Sequence, residues 1–152
     1  MLKKLYLALA MMLTPLAALS AEYGSEEEAV AMVDRAQALY ESDGFEALVA
    51  AVNDPSNDDF RDRDLYVFVI GHDGDVAAHG ANAGLVGRNL LGLKDQDGKE
   101  FVREMADVSQ NAGSGWVSYL WSNPQTKKLE SKKSWVVSIN GTHFAGVGVY
   151  AQ

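Results

Sequence analysis

The stretch from Gly113 to Tyr150 restricts the fold more than any other part of the chain. Trp116, Tyr119 and Trp121 precede the turn signal Asn123-Pro124. Lys132 and Lys133 follow, then alternating Trp135, Val137 and Ile139, then the turn signal Asn140-Gly141, and then the apolar, glycine-bearing run to Tyr150. Alternation with a period of two between such turns predicts three antiparallel strands. Asn140-Gly141 predicts a two-residue hairpin, because both residues tolerate positive φ, and a two-residue turn fixes the register of its strands. Ile139 is then expected opposite Thr142, Val137 opposite Phe144, and Trp135 opposite Gly146. A ring facing a residue without a side chain covers a weak strand position or leaves a shallow space, and either helps to build a small-ligand pocket.

The preceding residues read as helices and a hairpin. Ser25 with Glu28 three residues on forms a capping box ahead of Ala29, Val30 and Val33, predicting a helix to about Tyr40. Asp43-Gly44 interrupts it. Phe45, Leu48, Val49 and Val52 share one helical face, so a second helix is expected to end near Asn53-Asp54-Pro55. The acidic segment 57–64 reads as a solvated loop. Leu65 to Ile70 and Asp75 to His79 form a hairpin around Gly71-His72-Asp73-Gly74. A Gly- and Asn-rich loop follows, then a turn at Asp95 to Gly98 and a helix over Lys99 to Gln110 with Phe101, Val102, Met105 and Val108 inward. This order predicts an α+β fold: a PAS-like antiparallel sheet of about five strands with a long amino-terminal helix packed on it.

The 152 residues, 47% of them hydrophobic, suffice for one core without disulfides. The absence of cysteine excludes a thiol nucleophile, thiolate zinc, an iron–sulfur centre and c-type haem attachment. Lys3 and Lys4 precede an apolar run from Leu5 to Leu19 that ends in small residues, which predicts a signal peptide over residues 1–20 and a domain over 21–152. The run is shorter than the roughly 20 residues that span a bilayer and contains Thr14 and Pro15. Its removal takes away two lysines and no acid, moving the net charge from −8 to −10. A domain this acidic argues against nucleic-acid and anionic-membrane partners, and an anionic ligand would need a local cation.

The residues resemble the single Cache domains, extracytoplasmic sensor modules with a PAS-like sheet behind a long amino-terminal helix. The landmarks are Leu65-Tyr66-Val67-Phe68 before Asp73-Gly74; His79; Leu85 to Leu90; Asp97-Gly98-Lys99 ahead of Phe101-Val102; Gly115 to Trp121 before Asn123-Pro124; Glu130 and Lys132 before Trp135-Val136; and Phe144 to Tyr150. Two residues depart from the family pattern: Ser131 where a proline commonly precedes the lysine, and Trp135 where tyrosine is usual. The resemblance implies a periplasmic small-molecule sensor domain, not an enzyme. It implies a short organic acid or similar metabolite as ligand, and occupancy passed to a separate membrane receptor or sensor kinase. Because the sequence stops after the last strand, the stand-alone secreted form is expected.

By position, the resemblance implies a pocket of His79, Tyr119, Trp121 and Lys132, with Tyr66, Arg88 and Trp135 as further candidates. Lys132 would supply the cation, a histidine can donate to an acid oxygen, and the rings have apolar bodies with polar tips. The alternative is a structural or interaction module whose pocket has closed around Trp135. Three scattered histidines do not suggest a metal site, and Asp95-Gln96-Asp97-Gly98 lacks the glycine and glutamate spacing of a calcium loop. Ser114 lacks a nucleophile elbow. No cofactor is expected. The resemblance also implies a homodimer through the first helix, whose stripe of Val30, Val33, Ala36 and Tyr40 would face its copy.

Overall fold

The computed structural model describes residues 23–151, so the expected signal segment lies outside the described residues. Two helices come first, α1 (Glu26–Asp43) and α2 (Phe45–Asn53). The strands β1 (Arg61–Asp62), β2 (Leu65–Gly71) and β3 (Val76–His79) follow, then α3 (Phe101–Ala112), β4 (Ser114–Ser122), β5 (Leu129–Ser138) and β6 (His143–Tyr150). All six strands form one antiparallel sheet, ordered β1-β2-β6-β5-β4 with β3 also paired to β2. The fold is the expected PAS-like α+β arrangement with one extra short strand, β1.

Alternation along each strand gives the sheet two buried faces. Leu65, Val67, Val69, Ala145 and Val147 meet Ala29, Met32, Val33 and Ala36 of α1 and Leu48 and Val52 of α2. Tyr66, Phe68, Ile70, Val117, Tyr119, Val136 and Phe144 meet Phe101, Val102, Met105 and Ala106 of α3. A strand covered on both faces reads as a near-continuous apolar run, as β2 does. The capping box of α1 is present: Ser25 Oγ accepts from Glu28 N at 3.2 Å and Glu28 Oε2 accepts from Ser25 N at 2.8 Å. Val33 and Ala36 are fully buried within the core beneath α1. Two of the four residues expected to face a second copy are therefore used inside the domain. Among the described residues, no helix is long and apolar enough to cross a membrane.

Two local expectations need correction. Ile139 N donates to His143 O at 2.9 Å, so the β5–β6 loop has three residues, Asn140 to Thr142. Gly141 takes φ +77°, and Asn140 Oδ1 accepts from Thr142 N at 3.1 Å and His143 N at 2.9 Å. The Asn140 carboxamide thus stabilises a longer turn, and the register slips by one. Trp135 opposes Val147, Val136 opposes Gly146, and Tyr150 opposes Lys132. The segment 57–64 is also more ordered than a solvated loop. It forms a 3₁₀ turn over Asp58–Phe60 and then β1, with Phe60 buried and Asp64 fully buried.

Strand β4 lies at the sheet edge, where unpaired backbone groups invite pairing with another chain. Asp95 Oδ2 accepts from Leu120 N at 3.1 Å and Lys99 Nζ donates to Ser118 O at 2.6 Å, which covers part of that edge. The acidic turn at Asp95 is therefore an edge clamp.

Candidate ligand site

Lys132 is the charged side chain on which the site is built. It sits on β5 facing α3, only 3% exposed. Its stem crosses Gly148 so closely that a Cβ there would collide with Lys132 Cε and Ser134 Oγ. Glycine at 148 thus leaves the channel the stem runs through. Nζ donates to Tyr66 Oη at 2.7 Å and stands 4.1 Å from the Tyr66 ring centre and 4.8 Å from that of Tyr150. The rings of Phe68 and Tyr119 complete the cage at 5.9 and 6.0 Å. Ring faces attract the ammonium. Burial opposes it, pulling the lysine down to about 7, and the nearby Asp64 charge offsets part of that shift. Among the described residues, no carboxylate lies within ion-pair distance of Nζ.

The remaining polar tips are oriented by the surrounding strands. Tyr119, directly opposite Lys132 on β4, bonds Ser134 Oγ at 2.8 Å. Tyr150 donates to Ser122 O at 2.8 Å and contacts Tyr66 Oη at 3.4 Å. Burial, the largest cause in each case, raises Tyr66, Tyr119 and Tyr150, so all three stay neutral donors. His79 ends β3 with its ring 5.0 Å from that of Tyr66. Its Nδ1 accepts from Asn82 N at 3.0 Å and Ala81 N at 3.3 Å, which places the ring proton on Nε2. Burial first, and then the Lys132 charge, push this histidine down to about 3. It is a neutral donor beside a cation.

Two spaces adjoin these groups. A cavity of about 20 Å³ lies among Tyr66, His79, Phe101, Tyr119 and Trp121, roughly the room one water needs. Phe101 stacks on Tyr119 at 4.5 Å and meets Trp121 edge-on at 5.4 Å, which closes this side. A groove of about 500 Å³ reaches Lys132, Tyr119 and Tyr150 from the other side, with Lys99, Lys133 and Asp95 on its walls.

The structure therefore brings together Lys132, Tyr66, Tyr119, His79 and Trp121, and leaves out two candidates. Trp135 lies on the α1 face against Trp116, with ring centres 5.4 Å apart. An odd separation from Lys132 along one strand puts it on the opposite face. Arg88 is exposed on the loop after β3, its Nε donating to Gly84 O at 2.9 Å. Phe68, Ser134 and Tyr150 were missed. The expected register put Val149 opposite Lys132, and so turned Tyr150 to the wrong face.

Comparisons with known proteins agree with this architecture. The periplasmic sensor domain of a chemotaxis protein superposes with a TM-score of 0.65 at 25% identity, covering 83% of this chain and 90% of that one. A methyl-accepting chemotaxis protein from Vibrio parahaemolyticus gives 0.66 at 23% identity, covering 82% and 86%. A Cache chemosensory domain solved for its carboxylic acid recognition gives 0.64 at 20% identity, covering 83% and 88%. The latter two likenesses show the fold. The sensor histidine kinase MctS of Rhizobium johnstonii is 36% identical over 89 residues, which cover 58% of this chain but only 19% of the kinase. The model for Single Cache domain 2 matches residues 20–150, nearly the whole sequence, and the chain belongs to that family of sensor domains.

Proposed function

We propose that this domain binds a short organic acid in the periplasm through Lys132 and passes its occupancy to a separate membrane receptor or sensor kinase. One observation carries the reading: a buried lysine held among four aromatic rings with no carboxylate in ion-pair distance among the described residues. Burying a cation without an acid is costly, and a ligand carboxylate would supply the missing partner. His79 Nε2–H and the hydroxyls of Tyr66 and Tyr119 are neutral donors suited to the acid's oxygens, whereas Tyr150 spends its proton on Ser122 O. Phe101 and Trp121 offer an apolar wall to its carbon end. The groove beside Tyr150 provides the approach. Cleavage after residue 20 would release the domain, and mass spectrometry of the periplasmic form checks that.

A second reading, a structural or interaction module with a closed pocket, is favoured by the cavity of only about 20 Å³ beside His79. A thermal-shift screen of short acids and amino acids separates the two, since a ligand that binds the native state raises Tm by mass action. A rise with a short monocarboxylate or hydroxy acid supports the sensor. A flat response across the acids at millimolar concentration supports the closed module.

A further inference from the structure

The nitrogen of Lys132 carries more donors than its cage has acceptors. An ammonium has three N–H bonds. Among the described residues, Nζ has one hydrogen-bond acceptor, Tyr66 Oη at 2.7 Å. The neighbouring hydroxyls are engaged elsewhere: Tyr119 bonds Ser134 Oγ at 2.8 Å, and Tyr150 donates to Ser122 O at 2.8 Å. Around the rest of Nζ stand ring faces, those of Tyr66 and Tyr150 at 4.1 and 4.8 Å and those of Phe68 and Tyr119 at 5.9 and 6.0 Å. Ring faces stabilise positive charge without needing an N–H aimed at an oxygen. The cage therefore suits a cation with one N–H better than a cation with three. An iminium is such a cation. A desolvated lysine amine in an apolar pocket is also the form that attacks a carbonyl carbon. Burial, which pulls this lysine down to about 7, keeps a substantial share of it unprotonated at neutral pH.

We propose that Lys132 captures a short 2-oxo acid covalently, as an iminium whose single N–H is donated to Tyr66 Oη. The inference rests on reading the Lys132 pocket as the acid site, and it names the class of acid that site takes. The lone pair on Nζ forms a C–N bond to the 2-carbon while the carbonyl π-bond breaks. Tyr66 Oη, already in contact with Nζ, accepts a proton from the nitrogen and gives its own to the carbonyl oxygen. The carbinolamine then loses that oxygen as water. Overall an ammonium and a ketone become an iminium and water, both protons of the water come from the ammonium, and nothing is oxidised or reduced. The positive charge stays inside the ring cage, beside the acid's own carboxylate. An acid without the carbonyl group forms only the charge pair.

Reductive trapping tests this, with pyruvate as the probe and sodium cyanoborohydride to convert the iminium into a stable secondary amine. Peptide mass spectrometry is expected to find one carboxyethyl group on Lys132 of the wild type, with the exposed Lys128 and the neighbouring Lys133 almost unmodified. Lys132→Met should lose the adduct. Tyr66→Phe, which keeps the ring and removes the hydroxyl, should trap about a hundredfold more slowly, the lower end of what a positioned proton-transfer group contributes; an unchanged rate would overturn that proton path. Propionate, which has the same chain length and no carbonyl group beside its carboxylate, reads the acid site separately through Tm. If Lys132 is not trapped, or is trapped no faster than Lys128 and Lys133, while propionate raises Tm, the covalent capture is overturned and the acid site stands. If trapping is confined to Lys132 while propionate leaves Tm unchanged, the covalent capture stands and the non-covalent acid site falls.

Discussion

At the scale of single residues, the site turns on the cost of keeping Lys132 charged. Its value of about 7 lies well below that of an exposed lysine because burial penalises the ammonium. A bound carboxylate needs the charged form, so binding is predicted to be proton-linked. Affinity should be flat below about pH 7 and fall up to about tenfold per pH unit above it, until the raised value of the bound lysine is passed. Calorimetry in buffers of different ionisation enthalpy would detect the accompanying proton uptake, and an affinity independent of pH from about 6 to 9 would contradict the assignment. The same lysine opposes folding. Between its folded value and the ordinary one, the unfolded chain binds more protons, so stability should rise with pH above about 7. Lys132→Met should therefore raise Tm while abolishing the response to acids. His79 acts at the other end of the scale. Its value of about 3 against an ordinary 6.5 means that stability falls as pH drops below about 6.5 and continues to fall towards 3.

At the scale of elements, the β5–β6 hairpin delivers the cation and one ring of its cage, Tyr150, through a register set by one turn, while β2 supplies Tyr66 and Phe68 and β4 supplies Tyr119. Gly148 keeps the channel for the Lys132 stem open. Gly148→Ala is predicted to displace the stem, costing about 1–3 kcal/mol in overpacking and weakening acid binding without removing a ligand contact. Chemical denaturation together with titration checks both effects. The same hairpin shows how far the sequence could be read. The capping box, the helix break at Gly44 and the hairpin of β2 with β3 are local patterns, and they appear where expected. Lys132, Tyr119 and His79 were named through the family resemblance, and β5, β4 and β3 bring them around one buried cluster with Tyr66. Tyr150 was not, because Asn140 stabilises a three-residue turn, and a slip of one residue exchanges the faces of a strand. Trp135 could have been excluded beforehand, since three positions from Lys132 cannot share its face. Asp64 was hidden because the amide its carboxylate bonds, that of Gly24, lies forty residues away. Asp95→Ala tests the edge clamp: freeing the Leu120 amide should lower stability by about 1–3 kcal/mol and increase aggregation measured by light scattering.

At the scale of the whole molecule, charge is divided unevenly. Residues 23–64 carry twelve acids and three arginines, whereas residues 65–151 carry eight acids and eight lysines or arginines. The helical layer of α1 and α2 is therefore the acidic side. Pairing α1 with its copy would set six acids and one arginine against the same. Self-association through α1 is predicted to strengthen with salt, which sedimentation at low and high ionic strength would show; association favoured at low salt would point to another interface. An acid anion approaching the groove also meets this negative field, so its association rate should rise with ionic strength. The central claim is that one buried lysine, in an acidic domain, holds an organic acid. Calorimetric titration of the strongest acid from the screen into wild type, Lys132→Met and Lys128→Met tests it most directly. The account predicts a loss of about 2–5 kcal/mol for Lys132→Met, as for a desolvated charge pair, and less than about 1 kcal/mol for the exposed Lys128. Equal, small effects of both substitutions would contradict it.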